Sequence, residues 1–137
     1  MRVEPVPEHL QPAAVALWHA AGLTRPWNDP EADLQRALRG PSSTVLAGLE
    51  GERLVGTVMV GADGHRGWIY YLAVDQSVRG RGWGRRLVRE SERWLQARDI
   101  PKLQLMVRST NEAVLAFYTA LGYEPVEVHV LGRRLDG

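Results

Sequence analysis

Residues 68–74, Trp-Ile-Tyr-Tyr-Leu-Ala-Val, constrain the fold more than any other stretch of this chain. They are apolar and aromatic without a polar face, which predicts a central strand covered on both sides. The residues after them narrow the choice further. Glycines at 80, 82 and 84 alternate with Arg79, Arg81, Trp83 and Arg85, and from 84 to 98 the pattern becomes helical. Leu87, Val88, Ser91, Trp94 and Leu95 share one face of that helix, while Arg85, Arg86, Arg89, Glu92, Arg93 and Gln96 take the other. Residues 103–107 have the texture of a second short strand. Strand, helix and strand in this order predict a parallel crossover, with the helix packed on the sheet.

The N-terminal third reads as helical. Leu10, Ala14, Leu17, Trp18 and Ala21 fall at helical spacing between 8 and 21, and Gly22 supplies a stop. A second helix starts at Asn28 or Asp29 as N-cap, with Pro30 at its first position and Glu31 beside the positive helix end. Leu34, Ala37 and Leu38 form its buried face, and Gly40-Pro41 ends it. Residues 44–49 and 54–60 read as a hairpin turning near Gly51, and Asp63-Gly64 signals another turn. Ser109-Thr110-Asn111-Glu112 reads as a capping box opening a helix through Leu121, closed by Gly122. Residues 123–135 end the chain in strand-like texture. The expectation is a mixed α/β chain of 137 residues forming one domain.

Composition excludes several classes. Without cysteine there is no disulfide framework, thiolate nucleophile or thiolate metal site, and no metal is expected. No apolar run reaches the roughly 18 residues of a membrane span, and Met1-Arg2-Val3-Glu4-Pro5 lacks the layout of a signal peptide. The cytoplasm is therefore the expected compartment, with no membrane partner. A formal net charge of +1 gives no global pull toward nucleic acid. The arginine face of the helix lacks the interleaved aromatic platform such binding uses, so no nucleic-acid partner is expected. That face reads as solvated and laced with i,i+4 pairs such as Arg86 with Glu90.

The segment from Val74 to Arg85 carries the chemistry. It joins the end of a buried strand to the start of an amphipathic helix, where free backbone N–H groups and the positive helix end favour an anion. Glycines let the backbone approach a phosphate, and arginines add charge-assisted hydrogen bonds. A Walker-A loop would end in Gly-Lys-Ser/Thr, whereas this one ends Gly84-Arg85-Arg86. Glycines at 80, 82 and 84 also miss the G-x-G-x-x-G spacing of a dinucleotide loop.

Arg79-Gly80-Arg81-Gly82-Trp83-Gly84 resembles the Q/R-x-x-G-x-G/A signature of the GNAT superfamily of N-acetyltransferases. Asn111 through Tyr118, followed by Leu121-Gly122-Tyr123, resembles the same family's Asn…Tyr…Leu-Gly-Phe/Tyr helix. The segments 25–30 (Arg-Pro-Trp-Asn-Asp-Pro) and 63–67 (Asp-Gly-His-Arg-Gly) look like the small bacterial YpeA-like subgroup. The resemblance implies a mostly antiparallel mixed sheet with a parallel, splayed central pair and helices on both faces. It also implies a single acetyltransferase domain over residues 1–137 that uses acetyl-CoA.

Carried over residue by residue, the resemblance gives Gly80, Arg81, Gly82, Trp83, Gly84 and Arg85, with Arg79, to the pyrophosphate of coenzyme A. The main chain of Leu72, Ala73 and Val74 pairs with the pantetheine arm at a bulge in the strand. Asn111 bonds the cofactor near its thiol end. Tyr118 protonates the departing thiolate as the amine attacks directly. Arg85 and Arg86 lie close enough to the loop to meet the 3′-phosphate.

Trp27, Asn28 and Asp29 fall where family members wrap the acceptor, a small-molecule or peptide amine. Acceptor amines have pKa values near ~8 to ~10.4 and need a base. The glutamate that many members carry on the central strand is absent, which leaves Asp29, Asp63, His65, Glu127 and His129 as alternatives. The same departure keeps open a non-catalytic acyl-CoA binding module. Only fifteen residues follow Gly122. Either the closing hairpin is truncated or a homodimer partner completes the edge.

Overall fold

The computed structural model describes residues 2–137, which fall into two compact units, one running to Leu105 and the other from Met106 to Gly137. In the first unit β1 (Arg2–Pro5) and a 3₁₀ turn precede α1 (Gln11–Ala20) and α2 (Pro30–Arg39). Then come β2 (Ser43–Glu50), β3 (Arg53–Ala62), β4 (Gly67–Val74), a second 3₁₀ turn, α3 (Trp83–Gln96) and β5 (Leu103–Gln104). The strands lie in the order β1-β2-β3-β4-β5, antiparallel except for the parallel pair β4 and β5. This is the expected mixed sheet, and helices cover both of its faces.

One face packs on α1 and α2. Ala14, Leu17 and Trp18 of α1 and Leu34 and Ala37 of α2 share a core with Val45, Ala47 and Leu49 of β2 and Ala73 of β4. The helix stops behave as their chemistry requires: Gly22 takes φ +72° behind α1, and Asp29 caps α2 by accepting from the Ala32 N–H at 3.1 Å.

The opposite face receives α3 through the smallest residues of three strands. A Cβ added to Gly48 would lie 2.7 Å from the Trp83 ring, and one added to Gly56 would lie 2.8 Å from Leu87. Gly67 meets Leu95 in the same way. These contacts bury Trp83, Leu87, Val88, Ser91 and Leu95. Each fully buried apolar side chain there contributes about 1.5–3 kcal/mol. Trp94, expected on this face, is only half-buried and carries the Arg98 guanidinium 3.6 Å above its ring.

Several expectations need correction. Residues 2–5 form an edge strand where helix was expected to dominate, because pairing with β2 organises a segment too short to announce itself. Residues 68–74 are not covered on both sides: Ile69 and Ala73 are buried, but Tyr70 is 45% exposed. The second strand of the crossover shrinks from 103–107 to Leu103–Gln104, so β4 has a β5 partner only at Gly67 and Trp68.

The second unit contains α4 (Glu112–Ala120) and a tail. Its cap is Asn111, whose Oδ1 accepts from the Val114 N–H at 3.2 Å, and not Ser109 of the expected capping box. Gly122 closes the helix end with φ +95°, as expected. Residues 123–135 form no strand. Val126, Val128, Val130, Leu131 and Leu135 are exposed, so the alternation is present without a ladder to use it.

Candidate active site

β4 changes character half-way along. Its register with β3 runs from Met59 opposite Tyr70 to Thr57 opposite Ala73, so β4 has one residue more than β3 over that interval. This is a β-bulge, which leaves a residue unpaired and bends the strand. Tyr71 lies in it with φ +52°, a left-handed conformation costing a bulky side chain on the order of 1–3 kcal/mol. Past Trp68 the strand pairs with β5 no further, so Leu72, Ala73 and Val74, though Ala73 and Val74 pair with β3 on one side, have no strand partner on the other among the described residues.

Asp75 turns the chain out of β4. Its carboxylate accepts from the Ser77 hydroxyl at 2.7 Å and the Ser77 N–H at 2.9 Å, and lies 3.2 Å from Arg53. The Ser77 hydrogen bonds, helped by Arg53, hold its carboxyl below the usual range. Arg79, Gly80, Arg81 and Gly82 then run exposed to the start of α3. Gly82, the N-cap, has φ +84° and offers no side-chain cap. A Cβ at Gly80 or Gly82 would meet nothing within 4 Å, so the space beside this loop is open. The N–H groups of Trp83, Gly84 and Arg85 therefore begin a helix that no side chain among the described residues caps.

The arginines here are not equivalent. Arg81 lies 3.9 Å from Glu50, which also accepts from the Trp83 indole at 2.9 Å. Arg86 pairs with Glu90 at 3.1 Å and is committed along the helix. Arg79 and Arg85 have no carboxylate partner among the described residues, so they are the cations free to meet an anion beside the glycines. Open space, uncapped N–H groups, two unpaired arginines and an unpaired strand edge together fit a phosphate-bearing chain with an amide arm. Glu50, which holds both Arg81 and Trp83, is a site residue that sequence reasoning missed. Its only signal was its place at a strand end, which is not diagnostic.

The residues expected near the acceptor lie at the entry to α2 and in the turn before β4. Trp27 is 57% exposed, and Asn28 and Asp29 are also at the surface. Asp29 is occupied as a helix cap. His65 is exposed in a surface turn. Asp63, beside it, accepts from the main-chain N–H groups of Arg66 at 2.7 Å and His65 at 2.8 Å. Those two bonds hold its carboxyl below the usual range, which makes it a weak base. Glu127 and His129 sit in the exposed tail.

Tyr118 and Asn111 belong to the second unit, on and at the start of α4. Tyr118 is buried, 7% exposed, with edge-on contacts to Phe117 at 5.0 Å and Tyr123 at 5.7 Å. Burial pushes its hydroxyl up to about 12, so it keeps its proton at neutral pH and can only act as an acid there.

Comparison with known proteins gives the family and the fold. The family described as Acetyltransferase (GNAT) matches residues 12–123. An acetyltransferase of Pectobacterium atrosepticum is 48% identical over 124 residues, covering 90% of this chain and 87% of its own. Among solved structures, the aminoglycoside acetyltransferase AAC(6')-Iy, in complex with a bisubstrate analog of coenzyme A and monomethyl-acetylneamine, superposes with a TM-score of 0.83 at 15% identity, over 97% of each chain. The aminoglycoside 6'-N-acetyltransferase AAC(6')-IG of Acinetobacter haemolyticus does so with a TM-score of 0.80 at 17% identity, over 98% of each. At these identities the structural likeness is one of fold.

Proposed function

We propose, since this chain belongs to the acetyltransferase (GNAT) family and is an acyltransferase, that it transfers an acetyl group from acetyl-CoA to a primary amine. The observation that carries this reading is the uncapped start of α3, with Arg79 and Arg85 unpaired beside it. Acetyl-CoA supplies an activated acetyl thioester. On the protein side, Leu72, Ala73 and Val74 offer main-chain hydrogen bonds to its pantetheine arm, and residues 80–85 offer N–H groups to its pyrophosphate. Asn111 keeps an amide N–H₂ group available, since only its Oδ1 serves as the cap.

Tyr118 gives its proton to the departing thiolate, and its high pKa keeps that proton in place until it is needed. The acceptor is a small-molecule or peptide amine taken up near Trp27, Asn28, Asp29 and His65. With Asp63 and Asp29 engaged by main-chain N–H groups, proton removal from the amine is left to water, His65, Glu127 or His129.

The two compact units act as one acetyltransferase domain, a reading supported by a family match that runs through both. No helix among the described residues is long and apolar enough to cross a membrane, and the cytoplasm is the proposed place of work. Val126, Val128 and Val130 alternate on an exposed tail, which supports a homodimer in which such a tail completes a strand edge. A monomeric mass in solution at working concentration would count against that assembly.

The test begins with thermal unfolding in excess acetyl-CoA. Free ligand at 100 times its dissociation constant adds about 2.7 kcal/mol, a rise of several degrees for a chain of this size. NADH and ATP serve as controls, and acetyl-CoA consumption is then measured with a panel holding an aminoglycoside, a polyamine and a peptide amine. Tyr118→Phe should lower turnover by about a hundredfold while leaving acetyl-CoA affinity within twofold. Unchanged turnover would remove Tyr118 from the chemistry. Because an unfolded tyrosine ionises near 10 and this one near 12, the unfolded state alone loses the proton between these values. Its contribution to stability is therefore intact below pH 10 and drains away as pH rises toward 12. Tyr118→Phe should unfold less steeply with alkali.

A further inference from the structure

Tyr71 is a large aromatic residue in a conformation suited to glycine, φ +52° at the centre of the β4 bulge. Such an outlier persists only where its surroundings over-determine it, and here four residues from three other elements do so. The ring lies flat on the Trp18 indole of α1, centroids 3.9 Å apart and planes 13° apart. The hydroxyl donates to Asp33 Oδ2 of α2 at 2.8 Å. The carbonyl, which the bulge takes out of the ladder, accepts from the Thr57 hydroxyl of β3 at 2.9 Å. That hydroxyl oxygen in turn accepts from Trp18 Nε1 at 2.8 Å, and Trp18 and Thr57 are both wholly buried. Asp33 is itself steadied by Arg36, whose guanidinium donates to Oδ1 at 2.7 Å. Stacking and the Thr57 bond place the ring and the carbonyl. Among the described residues, the carboxylate of Asp33 is what fixes the far end of the side chain.

We infer that Asp33 and Tyr71 are a positioning pair for the cofactor-binding strand. The hydrogen bond from Tyr71 to Asp33 holds the left-handed turn, and that turn aims the main chain of Leu72, Ala73 and Val74 outward from the sheet edge. The inference rests on the reading of that edge as the acetyl-CoA site. Without the bond, Tyr71 can relax toward ordinary extended backbone, and the edge must be ordered each time a ligand docks, which weakens binding. The pair touches no substrate, so the chemical step at saturation is left alone.

The test is a double-mutant cycle on the full chain, read as the dissociation constant for acetyl-CoA by titration calorimetry and as KM and kcat. Tyr71→Phe keeps the stacking and loses only the hydroxyl. Asp33→Ala removes the acceptor, and Asp33→Asn keeps an oxygen in the same place. Each of the first two should weaken acetyl-CoA binding about tenfold, the size expected for one charge-assisted hydrogen bond. The double variant should be no weaker than either single one, and Asp33→Asn should stay within about threefold of the parent. KM for acetyl-CoA should rise while kcat stays within twofold. Parent-like binding in both single variants would overturn the pairing, and so would losses that multiply in the double variant. A parent protein that fails to bind acetyl-CoA would instead bring down the acetyl-CoA reading, and this inference with it.

Discussion

Helices α2 and α3 begin in opposite ways. At α2, Asp29 caps the Ala32 N–H, Pro30 removes a donor that would otherwise be orphaned, and Glu31 and Asp33 put negative charge in the first turn. The positive end of that helix is neutralised by the chain itself. At α3 the cap is a left-handed glycine with no side chain, and the first turn holds no acid. Its neighbours Arg79, Arg81 and Arg85 add positive charge to an end that is already positive. Local stability is surrendered at α3 and secured at α2. The contrast teaches that a deficient helix start, inside an otherwise satisfied unit, is a better pointer to a ligand than the glycines alone.

The comparison breaks most sharply if α3 is made to resemble α2. Gly82→Asp would place a carboxylate where an anion is expected, and acetyl-CoA affinity should fall by roughly a hundredfold or more. Gly82→Asn carries no charge and tolerates positive φ, so its loss should be much smaller. Equal losses in the two would mean that backbone strain, not charge, makes the site.

A milder change leaves the helix start alone and removes its free cations. Arg79→Ala and Arg85→Ala should each weaken acetyl-CoA binding roughly tenfold, and binding should become less sensitive to salt. Arg86→Ala should do much less, since its partner is Glu90; a loss as large as that of Arg85→Ala would contradict the assignment of free and committed arginines.

The smallest effect lies at α2. Asp29→Ala should cost about 1 kcal/mol of stability, a few degrees in unfolding temperature, with acetyl-CoA affinity unchanged. Reduced affinity would show that the two helix starts are coupled after all.

Both helix starts were legible in the sequence, because Asp29-Pro30 and the glycines at 80, 82 and 84 act through local chemistry alone. The turns at Gly51 and Gly64 were legible for the same reason, with φ of +60° and +90°. Features that depend on a distant partner were not. Nothing in residues 68–74 announces that Tyr71 will turn left-handed, since Trp18, Asp33 and Thr57 impose it from three other elements. Asn111 displaced Ser109 as the cap because several residues in that stretch can cap, and only the backbone decides which one stands at the boundary. Residues 123–135 have strand texture, but texture is a capacity for pairing, and a strand needs another to pair with. Of the site, the glycine loop was legible in the sequence, the free edge came only with the family resemblance because residues 103–107 read as a longer partner strand, and the sorting of arginines by Glu50 and Glu90 depended on the fold.

The three glycines under α3 also bear on how such a protein can change over generations. Positions 48 and 83, 56 and 87, and 67 and 95 form facing pairs in which bulk on the sheet and bulk on the helix exclude each other. Enlarging the sheet member first creates a clash, and shrinking the helix member first leaves a void. Each single step is therefore disfavoured even where the completed exchange would pack well. Trp83 is the sharpest instance, because its stiff ring faces Gly48 and its indole N–H is held by Glu50. Sequence drift should pass through this face two residues at a time or not at all, while the exposed face of the same helix beyond Arg85 is under no such pairwise constraint.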